Sequence, residues 1–310
     1  MTSERTGAAL ASLKGVRKRY GTTTALDGMD LEVHPGELLA VLGPNGAGKT
    51  TAIGLMLGLQ APDAGEVTLF GRSPHDLAAR RGVGVMMQEV ALPDALRVRD
   101  LINQARAYYP APLSLAETVE TAGIGKILDR PYVKLSGGQK RQAQFALAVC
   151  GRPQLLFLDE PTTGLDVTAR ETMWRTVQRL VKGGVSIVLT THYIEEAEAL
   201  ADRVVVMAKG RRIAEGTVSD IRSLVSRKRI ACATAVELAA IEAWPEVTAA
   251  VREGSQTTVT TADAEVVVRR LLAADPHLSD LEVRRAGLTE AFAELTQEPP
   301  VPEIIQEDAA

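Results

Sequence analysis

The feature that most constrains this chain is an apolar run that leads directly into a glycine-rich loop. ELLAVLG, residues 37 to 43, is typical of a strand buried on both faces of a parallel sheet, and its last glycine begins GPNGAGKT, Gly43 to Thr50. The loop matches G-x-x-x-x-G-K-[ST], in which backbone N–H groups at the start of a helix cradle phosphate. A helix from about 48 to 59 completes the required order. The chain is therefore predicted to contain an α/β core with a phosphate-binding loop.

The residues of this loop each have a predicted role in binding a nucleotide. Gly43, Gly46 and Gly48 let the backbone curl around phosphate oxygens, where a Cβ would block the approach. Lys49 is predicted to reach the β- and γ-phosphates, and the Thr50 hydroxyl to bind Mg²⁺. The other residues predicted to line the nucleotide are Pro44, Asn45, Ala47 and Thr51. The loop alone would equally suit a kinase or a GTPase.

Two adjacent carboxylates end a second apolar run, LLFLDEP, residues 155 to 161. A buried carboxylate is costly unless a metal or a partner neutralises it, so Asp159 is predicted to hold Mg²⁺ directly or from the outer coordination sphere. Glu160 is predicted to be the base that orients and polarises an attacking water. The alternative is that both acids cap a helix after Pro161.

A second helix start able to bind an anion is predicted at LSGGQ, Leu135 to Gln139. Ser136 is a typical N-cap, apolar residues follow at helical spacing, and Gly151 ends the helix. Gly137 and Gly138 in the first turn each cost about 1 kcal/mol relative to alanine, which a capped helix does not explain. Because they have no side chains, these two glycines leave the N-terminus of the helix open to an anion. Because the phosphate loop already serves one nucleotide, this second helix end indicates a second one.

Composition excludes several classes of protein. The 310 residues include 35 basic and 39 acidic ones, a net charge of −4, so no nucleic-acid partner is predicted. The two cysteines, Cys150 and Cys232, lie far apart, which indicates neither a disulfide framework nor a cysteine metal site and favours a cytoplasmic location. No apolar run has the length of a membrane span. Any membrane role is therefore expected to come through another polypeptide.

The pattern divides the chain into two domains. Residues 9 to 219 are predicted to form a nucleotide-binding domain, with antiparallel strands at 9 to 35, a mostly parallel core and a helical subdomain at about 89 to 150. Residues 220 to 297 show the order strand, helix, strand, strand, helix, strand, with a closing helix, which predicts a small ferredoxin-like α+β domain. The proline-rich tail, 298 to 310, is predicted to be disordered.

Together these motifs resemble those of ATP-binding-cassette ATPases. The similarity covers about residues 9 to 217 and rests on GPNGAGKT, Gln88 after VGVMM, LSGGQ, LLFLDEP, Gly164 to Asp166, and His192 in TTHY. It implies that two copies of the domain sandwich two ATP molecules with Mg²⁺. Each ATP would be held by the phosphate loop of one copy and the LSGGQ of the other.

The resemblance also implies roles for single residues. Ser136 and Gly138 contact the γ-phosphate across the dimer, within a motif that includes Gly137 and Gln139, and Asp166 helps to couple the two sites. Further roles fall on Gln88, which touches Mg²⁺ and the water; on His192, which holds the γ-phosphate and Glu160; and on Tyr20, which stacks on adenine.

Three classes of ATPase share these motifs. The interval between Gly43 and Leu135 leaves no room for the long coiled coil of chromosome-maintenance ATPases, and the single cassette disfavours translation factors with two. The C-terminal VRRAGLTEAFAELT resembles the drug-resistance and multidrug export group, whose permeases are separate polypeptides. This implies a homodimer held by a permease at the inner face of the cell membrane. The alternative is a soluble ATPase with a regulatory or resistance role and no permease.

Overall fold

The computed structural model describes residues 8–88, 90–223 and 228–285, together with Phe292 and Thr296. The chain forms two compact units, Met1–Val218 and Ser219–Ala310. The strands of the first unit are β1 (Ala11–Tyr20), β2 (Thr23–Val33), β3 (Leu38–Leu42), β4 (Ala64–Leu69), β5 (Val83–Met86), β6 (Leu155–Asp159), β7 (Ser186–Thr191), β8 (Arg203–Ala208) and β9 (Arg211–Gly216). Its helices are α1 (Lys49–Met56), α2 (Leu77–Arg80), α3 (Val98–Arg106), α4 (Leu115–Ala122), α5 (Gly137–Val149), α6 (Val167–Lys182) and α7 (Ile194–Leu200), and α8 (Val218–Ser223) follows at the unit boundary.

A six-stranded sheet forms the centre of the first unit, in the order β5-β6-β7-β3-β8-β9. The first five of these strands are parallel, and β9 pairs antiparallel with β8. Every residue of β3, β6 and β7 is buried, as the continuous apolar runs predict. Since parallel strands end at one edge of the sheet, the segments after β3, β5, β6 and β7 are brought to the same edge.

The edge strand β9 was not predicted from the sequence. It follows β8 through a tight two-residue turn, Lys209-Gly210, in which both residues have positive φ, 50° and 75°. Such a turn matches the twist of a hairpin, and it also places Gly210 N within 3.1 Å of the Ala47 carbonyl oxygen. The hairpin therefore supports the phosphate loop from the side.

The helical segment predicted at about 89 to 150 contains α3, α4 and α5, with short 3₁₀ turns at Gly125–Ile127 and Tyr132–Lys134. It has a core of its own, which includes Ile102, Tyr132 and Ala146. Strands β1, β2 and β4 form a separate antiparallel sheet in the order β2-β1-β4. Helix α1 is shorter than predicted, ending at Met56 instead of about 59. No helix within the described ranges is long and apolar enough to span a bilayer.

Within the described residues 228–285, the second unit has an antiparallel four-stranded sheet and two helices. Its elements are β10 (Lys228–Ala233), α9 (Leu238–Glu242), β11 (Val247–Glu253), β12 (Gln256–Thr261), α10 (Ala264–Ala274) and β13 (Ser279–Arg285). The strand order β11-β12-β10-β13 is the one that two interleaved βαβ units produce. Its core includes Ile230, Ile241, Val259 and Leu271. The closing helix and the tail predicted from the sequence lie outside the described residues, apart from Phe292 and Thr296.

Candidate functional site

The phosphate loop connects β3 to α1, and its glycines are required for two different reasons. Gly46 and Gly48 have φ of +81° and +101°, a region that side chains disfavour. A Cβ at Gly48 would also lie 2.4 Å from the Ala25 carbonyl oxygen, and one at Gly43 would lie 2.6 Å from the Met207 carbonyl oxygen. At Gly43 and Gly48, close packing within the chain therefore requires glycine, whether or not phosphate approaches the backbone there.

Lys49, the first residue of α1, folds over this loop. Its Nζ donates to the carbonyl oxygens of Gly43, at 2.5 Å, and Pro44, at 3.1 Å, and the residue is buried. A buried ammonium beside the N-terminus of a helix creates a positive concavity, since the first turn of a helix presents N–H groups with no intrahelical partner. The arrangement suits a phosphate group.

Asp159 lies beside the loop at the end of β6, only 1% exposed. Its Oδ2 accepts a hydrogen bond from Thr50 Oγ1 at 3.1 Å, and its Oδ1 accepts one from Thr190 Oγ1 on the adjacent strand β7. A hydroxyl from the loop and a buried carboxylate are thus in direct contact. The predicted pair Thr50 and Asp159 is brought together by the structure.

Glu160 is the centre of a group of three predicted residues. Its Oε1 lies 3.1 Å from His192 Nδ1, and its Oε2 accepts from Gln88 Nε2 at 3.2 Å. The residue is 6% exposed and has φ of 48°, which is uncommon for a residue with a side chain and clusters at functional sites. Its amide donates to the Thr190 carbonyl at 3.0 Å. Residues that follow β5, β6 and β7 thus bring the side chains of Gln88, Glu160 and His192 into contact.

LSGGQ begins helix α5 with a reciprocal capping box. Ser136 Oγ accepts from the Gln139 amide at 3.3 Å, while Gln139 Oε1 accepts from the Ser136 amide at 3.1 Å and from Arg130 at 3.0 Å. The side chains of Ser136 and Gln139 therefore stabilise the helix start. The pattern S-x-x-Q is a sequence signal for this box.

The two glycines of that motif differ in their surroundings. A Cβ at Gly138 would lie 3.3 Å from Leu165 Cδ2, whereas a Cβ at Gly137 would have nothing within 4 Å. Neither glycine has a positive φ. Among the described residues, neither backbone conformation nor packing therefore requires glycine at position 137.

Tyr20 and Asp166 both have contacts of their own. Tyr20, at the end of β1, is 46% exposed, and its hydroxyl donates to Gln60. Asp166 is exposed and is the N-cap of α6, where its Oδ1 accepts from the Ala169 amide at 2.8 Å. The other loop residues predicted to line the nucleotide lie with the phosphate loop, Asn45 exposed, Pro44 and Thr51 half-buried and Ala47 buried.

Among the described residues, three that contact Asp159 or Glu160 were not predicted. Thr190 binds Asp159, and Thr163 Oγ1 lies 3.4 Å from Glu160 Oε2. Arg141, on helix α5, donates to the Glu160 carbonyl oxygen at 3.2 Å. The TTH pattern before Tyr193 could have indicated Thr190, because Thr190 is the next-to-last residue of the buried strand β7, which leads directly into His192. No sequence pattern indicated Arg141.

An open groove of about 770 Å³ adjoins this site. It is lined by residues of α5, of the 3₁₀ turn before it, of the segment after β5 and of the loop after β6, among them Gln88, Leu92, Tyr132, Arg141 and Gly164. The groove therefore has Gln88 in common with the group around Glu160.

A buried lysine on a phosphate loop, a hydroxyl paired with a buried aspartate and a glutamate held by a histidine define a phosphate-loop ATPase. Comparison with known proteins gives the family. Residues 26–163 match the family model described as ABC transporter.

The daunorubicin resistance ATP-binding protein DrrA3 of Streptomyces coeruleorubidus is 36% identical over 306 residues, 92% of this chain and 95% of that protein. The Nod factor export ATP-binding protein I of Burkholderia thailandensis is 42% identical over 65% of this chain and 68% of that protein. A solved dimeric ATP-binding cassette in a post-hydrolysis state, bound to ADP and Pi, superimposes with a TM-score of 0.61 at 24% identity, covering 67% of this chain and 98% of that one. The chain therefore belongs to the ABC transporter family, as one of its ATPases.

Proposed function

We propose that this chain is the ATP-hydrolysing subunit of an exporter, and that two copies close around two ATP molecules to drive a separate membrane permease. The observation that carries the proposal is the start of helix α5. A Cβ at Gly137 would meet no described atom within 4 Å, and the residue has an ordinary backbone conformation and costs up to about 1 kcal/mol of helix stability relative to alanine. A group from outside the chain that approaches this helix end explains the glycine.

Within one copy, the phosphate loop binds the triphosphate. Lys49 exchanges its contacts with two loop carbonyls for contacts with the β- and γ-phosphates, and the first turn of α1 donates backbone N–H groups. The exposed ring of Tyr20 stacks on adenine, which supplies affinity with little base specificity.

Thr50, Asp159 and Gln88 fit a magnesium ion. No three His, Cys, Asp or Glu side chains are grouped as a metal cage in the described part of the chain. Mg²⁺ typically takes only one or two carboxylates and completes its octahedron with water and phosphate oxygens. The Thr50 hydroxyl and the Asp159 carboxylate, 3.1 Å apart, provide such a partial set. When bound, the ion neutralises charge that develops on the phosphates.

Glu160 orients and polarises the attacking water. Its carboxylate is held on both sides, by His192 and by Gln88, so its two oxygens have a defined direction. Its burial excludes bulk solvent, and His192, with a side chain 37% exposed, is accessible to the γ-phosphate.

The γ-phosphate also binds the second copy. Ser136 and Gly138 of that copy contact it through the N-terminus of α5, with Gly137 and Gln139 completing the motif, and Asp166 couples the two sites. The solved cassette with a similar fold is a dimer, which supports this arrangement. Because the γ-phosphate bridges the copies, closure depends on ATP, and hydrolysis releases it.

Export and a permease partner are supported by the relatives and by the groove. One relative is named as an export protein and the other as a resistance protein. The groove of about 770 Å³ beside Gln88 offers a concave surface at the residue that touches the catalytic carboxylate. A permease segment seated there at the inner face of the membrane would sense whether Glu160 is engaged. The alternative function, a soluble ATPase with a regulatory or resistance role, lacks such a partner.

Replacing Glu160 with glutamine tests the proposal directly. The variant keeps the shape of the side chain but loses the base, so ATP should bind, hydrolysis should nearly cease, and a dimer should be trapped. Size-exclusion chromatography with ATP and Mg²⁺ would detect it, with ADP as the control. Unimpaired turnover, or a trapped species that remains a monomer, would contradict the proposal.

Mixing two inactive variants tests whether the site is shared. Lys49→Ala should abolish nucleotide binding, and Ser136→Arg should spare binding to a monomer while blocking closure. A mixed dimer contains one composite site with neither substitution, so turnover should partly recover on mixing. Full activity of Ser136→Arg alone would show that its helix end does not bind the nucleotide.

A further inference from the structure

The side chain of Arg141 connects helix α5 to the catalytic group. Its Nη1 donates to the Met87 carbonyl oxygen and to Gln144 Oε1, both at 3.2 Å, and its Nη2 donates to the Glu160 carbonyl oxygen at 3.2 Å. Met87 immediately precedes Gln88. One half-buried guanidinium therefore bonds to the backbone of Glu160 itself and to that of the residue before Gln88.

The Glu160 backbone depends on such support. Its φ of 48° lies in the left-handed region, which a residue with a Cβ occupies only when its surroundings hold it there. The amide of Glu160 donates to the Thr190 carbonyl at 3.0 Å, and its carbonyl accepts from Arg141. The strained conformation that directs the carboxylate toward His192 is therefore fixed on one side by strand β7 and on the other by helix α5.

We propose that Arg141 is a positioning residue for ATP hydrolysis, which links the LSGGQ helix to Glu160 and Gln88 of the same chain. This inference rests on the proposed function. When the N-terminus of α5 binds a nucleotide held by the second copy, the helix becomes fixed, and Arg141 passes that constraint to the carboxylate serving its own nucleotide. Occupancy of one composite site thereby affects the geometry of the other.

The chemistry of the side chain supports this role. A guanidinium is a planar fork that donates in several fixed directions, whereas a lysine ammonium is a point charge on a flexible stem. Two carbonyl oxygens and an amide oxygen around one group match the fork. The neighbouring Lys140 differs, because its Nζ lies over the Tyr132 ring, 5.4 Å from the centroid, and it provides a matched control on the same helix.

Steady-state ATPase kinetics of Arg141→Ala and Arg141→Lys, with Lys140→Ala as the control, test the role. We expect Arg141→Ala to lower kcat by about 10- to 100-fold with KM nearly unchanged, since a small misplacement of a catalytic group has effects of that size. Arg141→Lys should recover only part of the loss. Lys140→Ala should retain wild-type kcat. Wild-type kcat in Arg141→Ala would overturn the inference, as would a loss of activity fully accounted for by unfolded protein in thermal melts.

Hydrogen exchange gives a readout that a general structural defect would not produce. In Arg141→Ala, the peptide that contains Glu160 should exchange faster, while peptides from β3 and α1 stay protected as in the wild type. Unchanged exchange of the Glu160 peptide would contradict the link.

A background carrying Glu160→Gln separates this inference from the proposed function. Adding Arg141→Ala to that background should leave the ATP-trapped dimer intact, because Arg141 positions the carboxylate and does not touch the phosphate. Failure of Glu160→Gln itself to form the dimer would refute the proposed function. A normal trapped dimer together with full turnover of Arg141→Ala would refute only the inference drawn for Arg141.

Discussion

Thr162→Val should destabilise the first unit, because it removes a hydrogen bond from a buried carboxylate. Glu196, on helix α7, is fully buried, and its Oε1 accepts from Thr162 Oγ1 at 2.6 Å and from Trp174 Nε1 at 3.1 Å. Its Oε2 is buried and has no hydrogen-bond partner in the part of the chain that the structure describes. Valine has nearly the shape of threonine but places a methyl group against the carboxylate. Of the two described hydrogen bonds to the Glu196 carboxylate, one is lost, and the buried carboxylate cannot bind water in its place.

The expected loss is about 2–3 kcal/mol, since a hydrogen bond to a charged group contributes about 1.5–3 kcal/mol and the deprived acceptor stays buried. For a unit of this size, that corresponds to a fall in melting temperature of about 4–12 °C. Thr172→Val is a matched control, because Thr172 is exposed and its hydroxyl, which donates to the Thr168 carbonyl and accepts from Arg175 Nη2, can exchange both partners for water. It should change stability by less than about 0.5 kcal/mol.

Urea unfolding followed by tryptophan emission measures this difference. The chain has two tryptophans, and Trp244 lies in the second unit, so a Trp244→Phe background leaves Trp174 as the single reporter. The indole of Trp174 itself binds Glu196, so its emission follows the region under test. If Thr162→Val unfolds within about 0.5 kcal/mol of its parent, the reasoning about a buried, under-bonded carboxylate is refuted.

Two further predictions concern the two ends of helix α5, Gly137 at its start and Cys150 at its C-cap. Gly137→Ala should raise the stability of helix α5 by up to about 1 kcal/mol, because the added Cβ meets no described atom within 4 Å. It should nevertheless lower ATPase turnover, while ATP binding by the monomer stays unchanged. Equal turnover in the variant would contradict the role of this helix end. Burial raises the pKa of the Cys150 thiol from 9.0 to about 11. The unfolded thiol therefore loses its proton at lower pH than the folded one, and stability should fall as pH rises from 9 toward 11. Urea midpoints across that range should fall more for the wild type than for Cys150→Ala.

Much of the site follows from the sequence because parallel strands end at one edge of the sheet. Once β3, β6 and β7 are identified as buried runs, the residues that directly follow them must converge, and the contacts of Glu160 with His192 and of Asp159 with Thr50 agree with this rule. The motifs mark the ends of strands, so an error of one or two residues in a strand boundary does not move them.

Contacts that depend on tertiary geometry could not be predicted in this way. Arg141 reaches Glu160 because α5 packs across the ends of β5 and β6, and no spacing in the sequence encodes that crossing. Strand β9 was missed because its charged residues, such as Arg211 and Arg212, lack the apolar signal of a buried strand. It is an edge strand, where only the Lys209-Gly210 turn indicates a hairpin.

The glycines of the site differ in whether the fold itself requires them. From the sequence, the glycines of GPNGAGKT and LSGGQ have the same explanation, which is access for phosphate. The structure separates them: Gly43 is required by packing against Met207, Gly46 by its backbone conformation, and Gly137 by neither. A glycine that the fold requires carries little information about a ligand, because it would be present in any case. Gly137 is required by no contact among the described residues, which supports the proposal that its helix end binds another molecule.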